Sequence, residues 1–313
     1  MYYNRILSSI FEDLLREGEL NWLINYVKTK DDLDILIGKN NKTEYCSIYR
    51  GTTRILLIEK GTSTNSKFKV KASPKYKQML PELFSGNLCD VTLDKLEELR
   101  SLVATDRRFD RYHNNKKEGW YQNLYARKYG ILSHENSEFV IVDKESVVGY
   151  DNENEQNTLF KPLQQTYKLI RQKLSEANPI RFGRLENKAL GSELDLLALD
   201  KDGNILLLEL KYGKNTSGIY LAPFQIGLYC DIFNQLDKDV LFSTVIDMVK
   251  QKQRLGLISP DWKIPKKFGE IKAKLVIGNF NSASSSLQKY YEVISFIKNE
   301  NSQLIKDIEI VKI

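Results

Sequence analysis

Four charged residues stand at the ends of two leucine-rich runs. Glu193 and Asp195 open the run Glu193-Leu194-Asp195-Leu196-Leu197-Ala198-Leu199, and Glu209 and Lys211 close the run Ile205-Leu206-Leu207-Leu208-Glu209-Leu210-Lys211. Burying unpaired charge is costly, and carboxylates brought opposite one another repel as well. A hard divalent cation relieves both problems. Magnesium prefers oxygen ligands and takes one or two protein carboxylates together with waters and substrate phosphate. Asp195, Glu209 and Glu193 are therefore candidate ligands for Mg²⁺ or Mn²⁺. Lys211 is suited to orient or deprotonate an attacking water, or to stabilise charge developing on a phosphate. Metal-activated hydrolysis of a phosphodiester is the chemistry this set would perform. The plain alternative is a charge cluster at the exposed end of a hairpin.

Convergence depends on the connection Asp200-Lys201-Asp202-Gly203-Asn204. A three-residue loop with Gly203 in the left-handed conformation sets Asp200 opposite Asn204. Counting back, Asp195 then faces Glu209 and Glu193 faces Lys211, so all four share one face of the sheet. A two-residue loop would put Asp195 and Glu209 on opposite faces. Both runs are apolar on both sides for most of their length, which places them in the middle of a covered sheet.

Composition excludes other chemistry. Only two histidines occur, His113 and His134, so no multi-histidine metal centre can be built. The three cysteines, Cys46, Cys89 and Cys230, are far apart and odd in number, which argues against a disulfide framework or zinc knuckle. The N-terminus does not read as a signal peptide, and no apolar run approaches a membrane span. A cytoplasmic protein with no membrane partner is expected. With 313 residues, 42% hydrophobic and 28% charged, the chain has room for two ordinary domains. A net charge of +6 permits a polyanionic partner without demanding one.

The elements that must position the charged set follow from periodicity. The polar stretch Asp151–Asn157 reads as a linker, giving domains 1–150 and 158–313. Upstream, residues 5–27 carry helical spacing, 33–37 and 54–58 are strand-like, and Gly61–Lys75 reads as a Ser/Thr/Lys-rich loop. Thr92 is an N-cap candidate for a helix to Val103, and Glu138–Val142 is another strand. Downstream come a helix at 159–176, a weak strand at 180–185, the hairpin strands, and a helix at 222–236 with Pro223 in its first turn. A helix at 243–255, a strand at 274–277, a helix at 286–298 and a strand at 308–313 complete the pattern. The alternation predicts an α/β fold around a mixed sheet, preceded by an α+β domain. A faint echo of the hairpin at Leu33–Leu36 and Ile55–Lys60 fails physically, because adjacent Glu59 and Lys60 point to opposite faces of a strand.

The pairing of Glu193-Leu194-Asp195 with Glu209-Leu210-Lys211 resembles the PD-(D/E)XK nuclease superfamily. The resemblance covers about residues 159–280 and implies a restriction-endonuclease-like αβββαβ core. Gln225-Ile226-Gly227-Leu228-Tyr229 is similar to the QxxxY element of RecB-like and Cas4-like members, and residues at i and i+4 share a helical face. Gln225 and Tyr229 thereby join Asp195, Glu209 and Lys211 as candidate catalytic residues. Many members carry a glutamate on the first core helix. Here that region reads Leu163-Gln164-Gln165-Thr166, with Glu176 at the far end. Either Glu193 takes that role, or Glu186 does, or the site holds metal less completely.

Nucleic acid is the implied partner, with DNA favoured by analogy with the family. Lys214, in the basic loop Tyr212–Gly218, lies just past the ExK strand and is placed to touch phosphate. Arg107, Arg108, Arg111, Lys116 and Lys117 interleave with Phe109 and Tyr112, and Trp120, Tyr121, Tyr125, Arg127 and Lys128 follow. Such a pattern grips phosphates and stacks bases, or else forms a solvated face over a buried aromatic side. Lys263, Lys266 and Lys267 around Trp262 are a further basic cluster. The first domain is assigned to recognition, regulation or dimerisation, so a homodimer is among the admitted states. A non-catalytic nucleic-acid-binding or scaffold protein on a relict fold is the competing reading.

Overall fold

The computed structural model describes residues 1–63, 66–71, 92–106, 117–183, 190–191, 193–301 and 307–313. The fold is mixed α/β with two sheets, and nine helices occur among the described residues. The chain divides into two compact units. One comprises Met1–Tyr3, Glu138–Ile246 and Ile264–Ile313, and the other comprises Asn4–Ser137 and Asp247–Lys263.

The second of these units is built on an antiparallel meander, β1 (Asp34–Lys39), β2 (Glu44–Arg50), β3 (Thr53–Ser63) and β4 (Ser66–Lys71). Helices α1 (Ser9–Arg16), α2 (Asn21–Thr29), α3 (Leu93–Thr105) and α4 (Glu118–Lys128) accompany it. Its core joins Phe11, Leu15, Leu23 and Val27 to Ile48, Ile55, Ile58, Leu96 and Val103. The single helical stretch expected at 5–27 is two helices. The expected loop from Gly61 is the end of β3 and the whole of β4 as far as Lys71. Thr92 caps α3 as anticipated, its side chain accepting from Lys95 N at 3.3 Å. The faint echo dissolves: β2 lies between β1 and β3, so those two strands are not a hairpin.

The other unit carries a five-stranded mixed sheet in the order β5-β6-β7-β8-β9. Its strands are β5 (Phe139–Ser146), β6 (Leu194–Asp200), β7 (Ile205–Tyr212), β8 (Ile271–Gly278) and β9 (Ile308–Lys312). The first three are antiparallel, and β7, β8 and β9 run parallel. Central β7 is buried from Ile205 to Lys211, as a leucine run covered on both faces must be. Helix α5 (Glu153–Ala177) is followed by the short α6 (Pro179–Phe182). Then come α7 (Thr216–Asn234), α8 (Lys238–Arg254) and α9 (Ser286–Glu300). Helix α7 packs on β7 and β8, with α5 and α9 beside it.

Three expectations fail here. The acidic stretch at 151–157 is not a linker: Asn152 caps α5, accepting from Glu155 N at 2.9 Å, and Glu153 and Glu155 occupy the first turn. Negative charge there is favoured by the positive end of the helix dipole. The division between the units falls instead at Ser137/Glu138 and within α8. The weak strand at 180–185 is replaced at its start by the turn of helix α6, and residues 184–189 lie outside the described residues. The sheet position next to β6 is filled by β5, which the chain makes before α5 rather than after it. The chain order is thus strand, helix, strand, strand, helix, strand, helix, strand, with α6 and α8 as additions.

Candidate functional site

The hairpin β6–β7 positions the charged set, and its turn is fixed by several independent bonds. Gly203 has φ +84°, and Gly203 N donates to Asp200 O at 3.2 Å. The Asp200 carboxylate accepts from Asp202 N at 3.0 Å and Asn204 N at 2.8 Å, and its other oxygen accepts from Asn204 Nδ2 at 2.8 Å. This is the three-residue loop anticipated from Asp-Gly. The ladder pairs Leu199 with Ile205, Ala198 with Leu206, Leu197 with Leu207 and Leu196 with Leu208. One step further, the same register sets Asp195 opposite Glu209.

At that step the strands part. Asp195 Oδ2 accepts from Leu210 N at 2.7 Å, so a side-chain carboxylate takes the place of a ladder carbonyl. Asp195 is half-buried, whereas Glu209 is 2% and Lys211 7% exposed. Lys211 Nζ is ion-paired with Glu209 Oε1. On the far side of β7, Glu209 pairs with Leu275 and Lys211 with Ile277, both fully buried. The flank is apolar, and charges there interact more strongly than in water.

Helix α7 closes the patch from above. It starts at Thr216, earlier than expected, because Asn215 caps it by accepting from Gly218 N at 3.0 Å. Pro223 accordingly lies inside the helix, and Thr216–Gly218 belong to its first turn rather than to a loop. Tyr229 is buried, and its Oη donates to Glu193 O at 2.6 Å. Burial raises the Tyr229 phenol pKa well above its ordinary value, and the negative charges of Glu209, Asp195 and Glu193 raise it further, in that order. One hydroxyl therefore feels all three carboxylates. Gln225, one turn earlier, is on the same face: a Cβ placed on Gly191 would meet Tyr229 Oη at 3.1 Å and Gln225 Nε2 at 3.6 Å. Gln225 Oε1 is buried and accepts no hydrogen bond among the described residues.

The structure thus brings together Asp195, Glu209, Lys211, Gln225 and Tyr229. Glu193 enters through its main chain, while its side chain is exposed at the rim. Lys214 is exposed in the turn between β7 and α7. Lys117 is exposed beside the first turn of α4, in the other unit. Arg107, Arg108, Arg111, Lys116, His113 and Glu186 lie outside the described residues. Arg127 and Trp262 are not surface contacts for nucleic acid. Arg127 is buried and donates to Val27 O at 3.0 Å and Leu33 O at 2.6 Å. Trp262 is 1% exposed and donates to Ser137 O at 3.0 Å.

Sequence reading missed Glu145. It has φ +49°, an uncommon conformation for a residue with a side chain. Strand β5 pairs Lys144 with Leu196 and Ser146 with Leu194, which sets Glu145 beside Asp195. The polar run Asp143-Lys144-Glu145-Ser146 after Phe139-Val140-Ile141-Val142 was the available signal.

As donors, Asp195 and Glu209 suit a hard cation, which takes one or two carboxylates and fills the rest of its shell with water. Among the described residues, no group of three or more His, Cys, Asp or Glu is arranged to hold a metal ion. No described helix is long and apolar enough to cross a membrane. Comparison with family models finds no match, and neither curated proteins nor solved structures give one.

Proposed function

We infer that the chain is a metal-dependent nuclease that hydrolyses phosphodiester bonds, with DNA as the preferred substrate. The observation that carries this reading is the hairpin register, which sets Asp195 opposite Glu209 with Lys211 on the same face. The likeness to PD-(D/E)XK nucleases rests on the same residues. A strand meander followed by a helix and a parallel strand supports it at the level of architecture.

Asp195 and Glu209 would hold Mg²⁺ or Mn²⁺, which supplies a water of lowered pKa and a Lewis acid for the phosphate oxygen. Lys211, beside Glu209, positions the attacking water or neutralises charge gathering on the phosphate. Tyr229 stays protonated and works as a donor, fixing the chain at Glu193 where it enters β6. Gln225 offers a buried acceptor toward the same patch.

The test is incubation of the full chain with supercoiled, linear and single-stranded DNA and with RNA, with Mg²⁺ or Mn²⁺ and with EDTA. Metal-dependent cleavage that disappears in Asp195→Ala is expected. Robust cleavage in excess EDTA refutes the mechanism.

One observation favours a second reading, a non-catalytic nucleic-acid-binding protein on a relict fold. The carboxylates already have protein partners, Asp195 in Leu210 N and Glu209 in Lys211, and among the described residues they form no three-ligand group. Calorimetric titration with Mg²⁺ separates the two: binding lost in Asp195→Ala supports the enzyme, and absence of binding supports the relict.

A further inference from the structure

A cavity of about 110 Å³ lies beside the carboxylate patch, within the unit that carries the mixed sheet. A single water needs only ~10–15 Å³, so the space admits a group larger than a water. Three segments line it: Ser146 at the end of β5 with Val147, Val148 and Tyr150 after it, Gln156 and Phe160 on α5, and Tyr229 with Phe233 on α7.

The walls are aromatic with a few polar groups. The rings of Tyr150 and Phe160 have centroids 6.3 Å apart, tilted by 47°. Phe233 is braced from behind by Tyr3, at 5.4 Å between centroids. Gln156 supplies an amide with both donor and acceptor. Burial, then the charge of Glu155, pushes the Tyr150 phenol up to about 12, so it remains a donor at neutral pH.

Position gives the cavity its meaning. Ser146 pairs with Leu194, the neighbour of Asp195. Tyr229 is shared, with its side chain lining the cavity and its Oη reaching Glu193 O in the patch. Tyr229 thus joins the cavity to the patch where the nuclease reading would seat a phosphate.

We propose that this cavity is a nucleobase pocket, which stacks an unpaired base adjacent to the phosphodiester on Tyr150 and Phe160 and reads its edge with Gln156. The proposal rests on the nuclease reading for the phosphate half and specifies its substrate: a strand whose bases can be unstacked. Aromatic stacking of this kind is tolerant of sequence, and the amide adds preference.

The experiment is equilibrium binding of the full chain, in EDTA, to a fluorescein-labelled single-stranded deoxyoligonucleotide and to an abasic deoxyribose-phosphate strand of equal length. Two variants are compared. Phe160→Ala removes a half-buried wall, and Val147→Trp fills the cavity from a residue that is 38% exposed. Each should weaken binding of the base-bearing strand by ~5- to 100-fold, the scale of one stacked base, and leave the abasic strand unchanged. The variants alter volume in opposite directions, so a common loss does not come from a collapsed core. Wild-type affinity for the base-bearing strand in both variants overturns the pocket, and metal-dependent cleavage can survive that result. Equal binding of the two strands by the wild-type chain overturns it too. Base-dependent binding that both variants lose, without cleavage under any metal, upholds the pocket and removes the nuclease reading.

Discussion

Gly203 is where the register of the site is decided, and Gly203→Ala tests it. Two terms set the size of the effect. The residue has φ +84°, and a side chain in left-handed backbone costs about 1–2 kcal/mol. The added Cβ would also sit 1.9 Å from the Lys267 carbonyl oxygen, which is backbone and cannot rotate away. Moving that segment disturbs Gly269 N to Gly203 O at 3.0 Å and Glu270 N to Asn204 Oδ1 at 3.0 Å. Losing one or two such bonds costs roughly 1 kcal/mol each. The sum is about 3 kcal/mol, large for one methyl group. Urea unfolding, followed by fluorescence and by hydrogen exchange of the β6–β7 amides, measures it. Gly183→Ala is the control, because that backbone is helical at φ −55°, ψ −25° and a Cβ there meets nothing within 4 Å among the described residues. It should leave stability unchanged or raise it by ~0.4–1 kcal/mol. Molecules of Gly203→Ala that remain folded should keep Asp195 opposite Glu209. A change below about 1 kcal/mol in Gly203→Ala would refute the argument that this turn locks the register.

Lys211→Ala should lower cleavage by ~10²-fold or more while Mg²⁺ binding persists, since the lysine is no ligand; single-turnover kinetics and calorimetry check this. Asp195→Asn should keep the acceptor for Leu210 N and so keep stability. Asp195→Ala should cost about 1–3 kcal/mol by leaving that buried N–H unpaired, and both variants should lose metal binding. Tyr229→Phe removes the 2.6 Å bond to Glu193 O and should cost about 1 kcal/mol in urea unfolding. The folded-state pKa of Tyr229 lies above its ordinary value, so its contribution is complete below pH ~10 and is lost as pH rises beyond that. The alkaline fall in stability should therefore be shallower in Tyr229→Phe than in the wild type.

The hairpin was legible because every signal in it is local. Two leucine runs, an Asp-Gly turn and period-two alternation suffice to derive the pairing of Leu196 with Leu208. The start of α5 was illegible for a local reason of a different kind: first turns are polar, and Asn152-Glu153-Asn154-Glu155 looks like a linker until its cap is formed. Strands β2 and β4 carry Glu44, Ser47, Lys67, Lys69 and Lys71, so no apolar run announced them. The membership of β5 was out of reach. Its hydrophobic run was visible, but nothing within Phe139–Ser146 says that it pairs with Leu194–Asp200 across the whole length of α5. Glu145 and the aromatic cavity depend on that same long-range pairing.

The charged set stands at the end of the hairpin for a reason that joins fold to chemistry. Within the ladder, from Leu196 to Leu199 and from Ile205 to Leu208, every residue is buried and every paired position is aliphatic. A carboxylate there would have no escape from its desolvation cost. At Asp195 the strands diverge, and the carboxylate itself receives the N–H of Leu210 that a ladder carbonyl would have taken. Glu209 and Lys211 are paired nearby, and the charges of Glu209 and Asp195 both act on the hydroxyl of Tyr229. Ending the ladder thus groups fixed charge beside apolar Leu275 and Ile277. Under the nuclease reading, a cation held by these carboxylates would, together with Lys211, stabilise charge developing on the phosphate. The turn at Gly203 determines which residues fall at the end of the ladder, so a single backbone conformation at the far end of the hairpin sets the composition of the site.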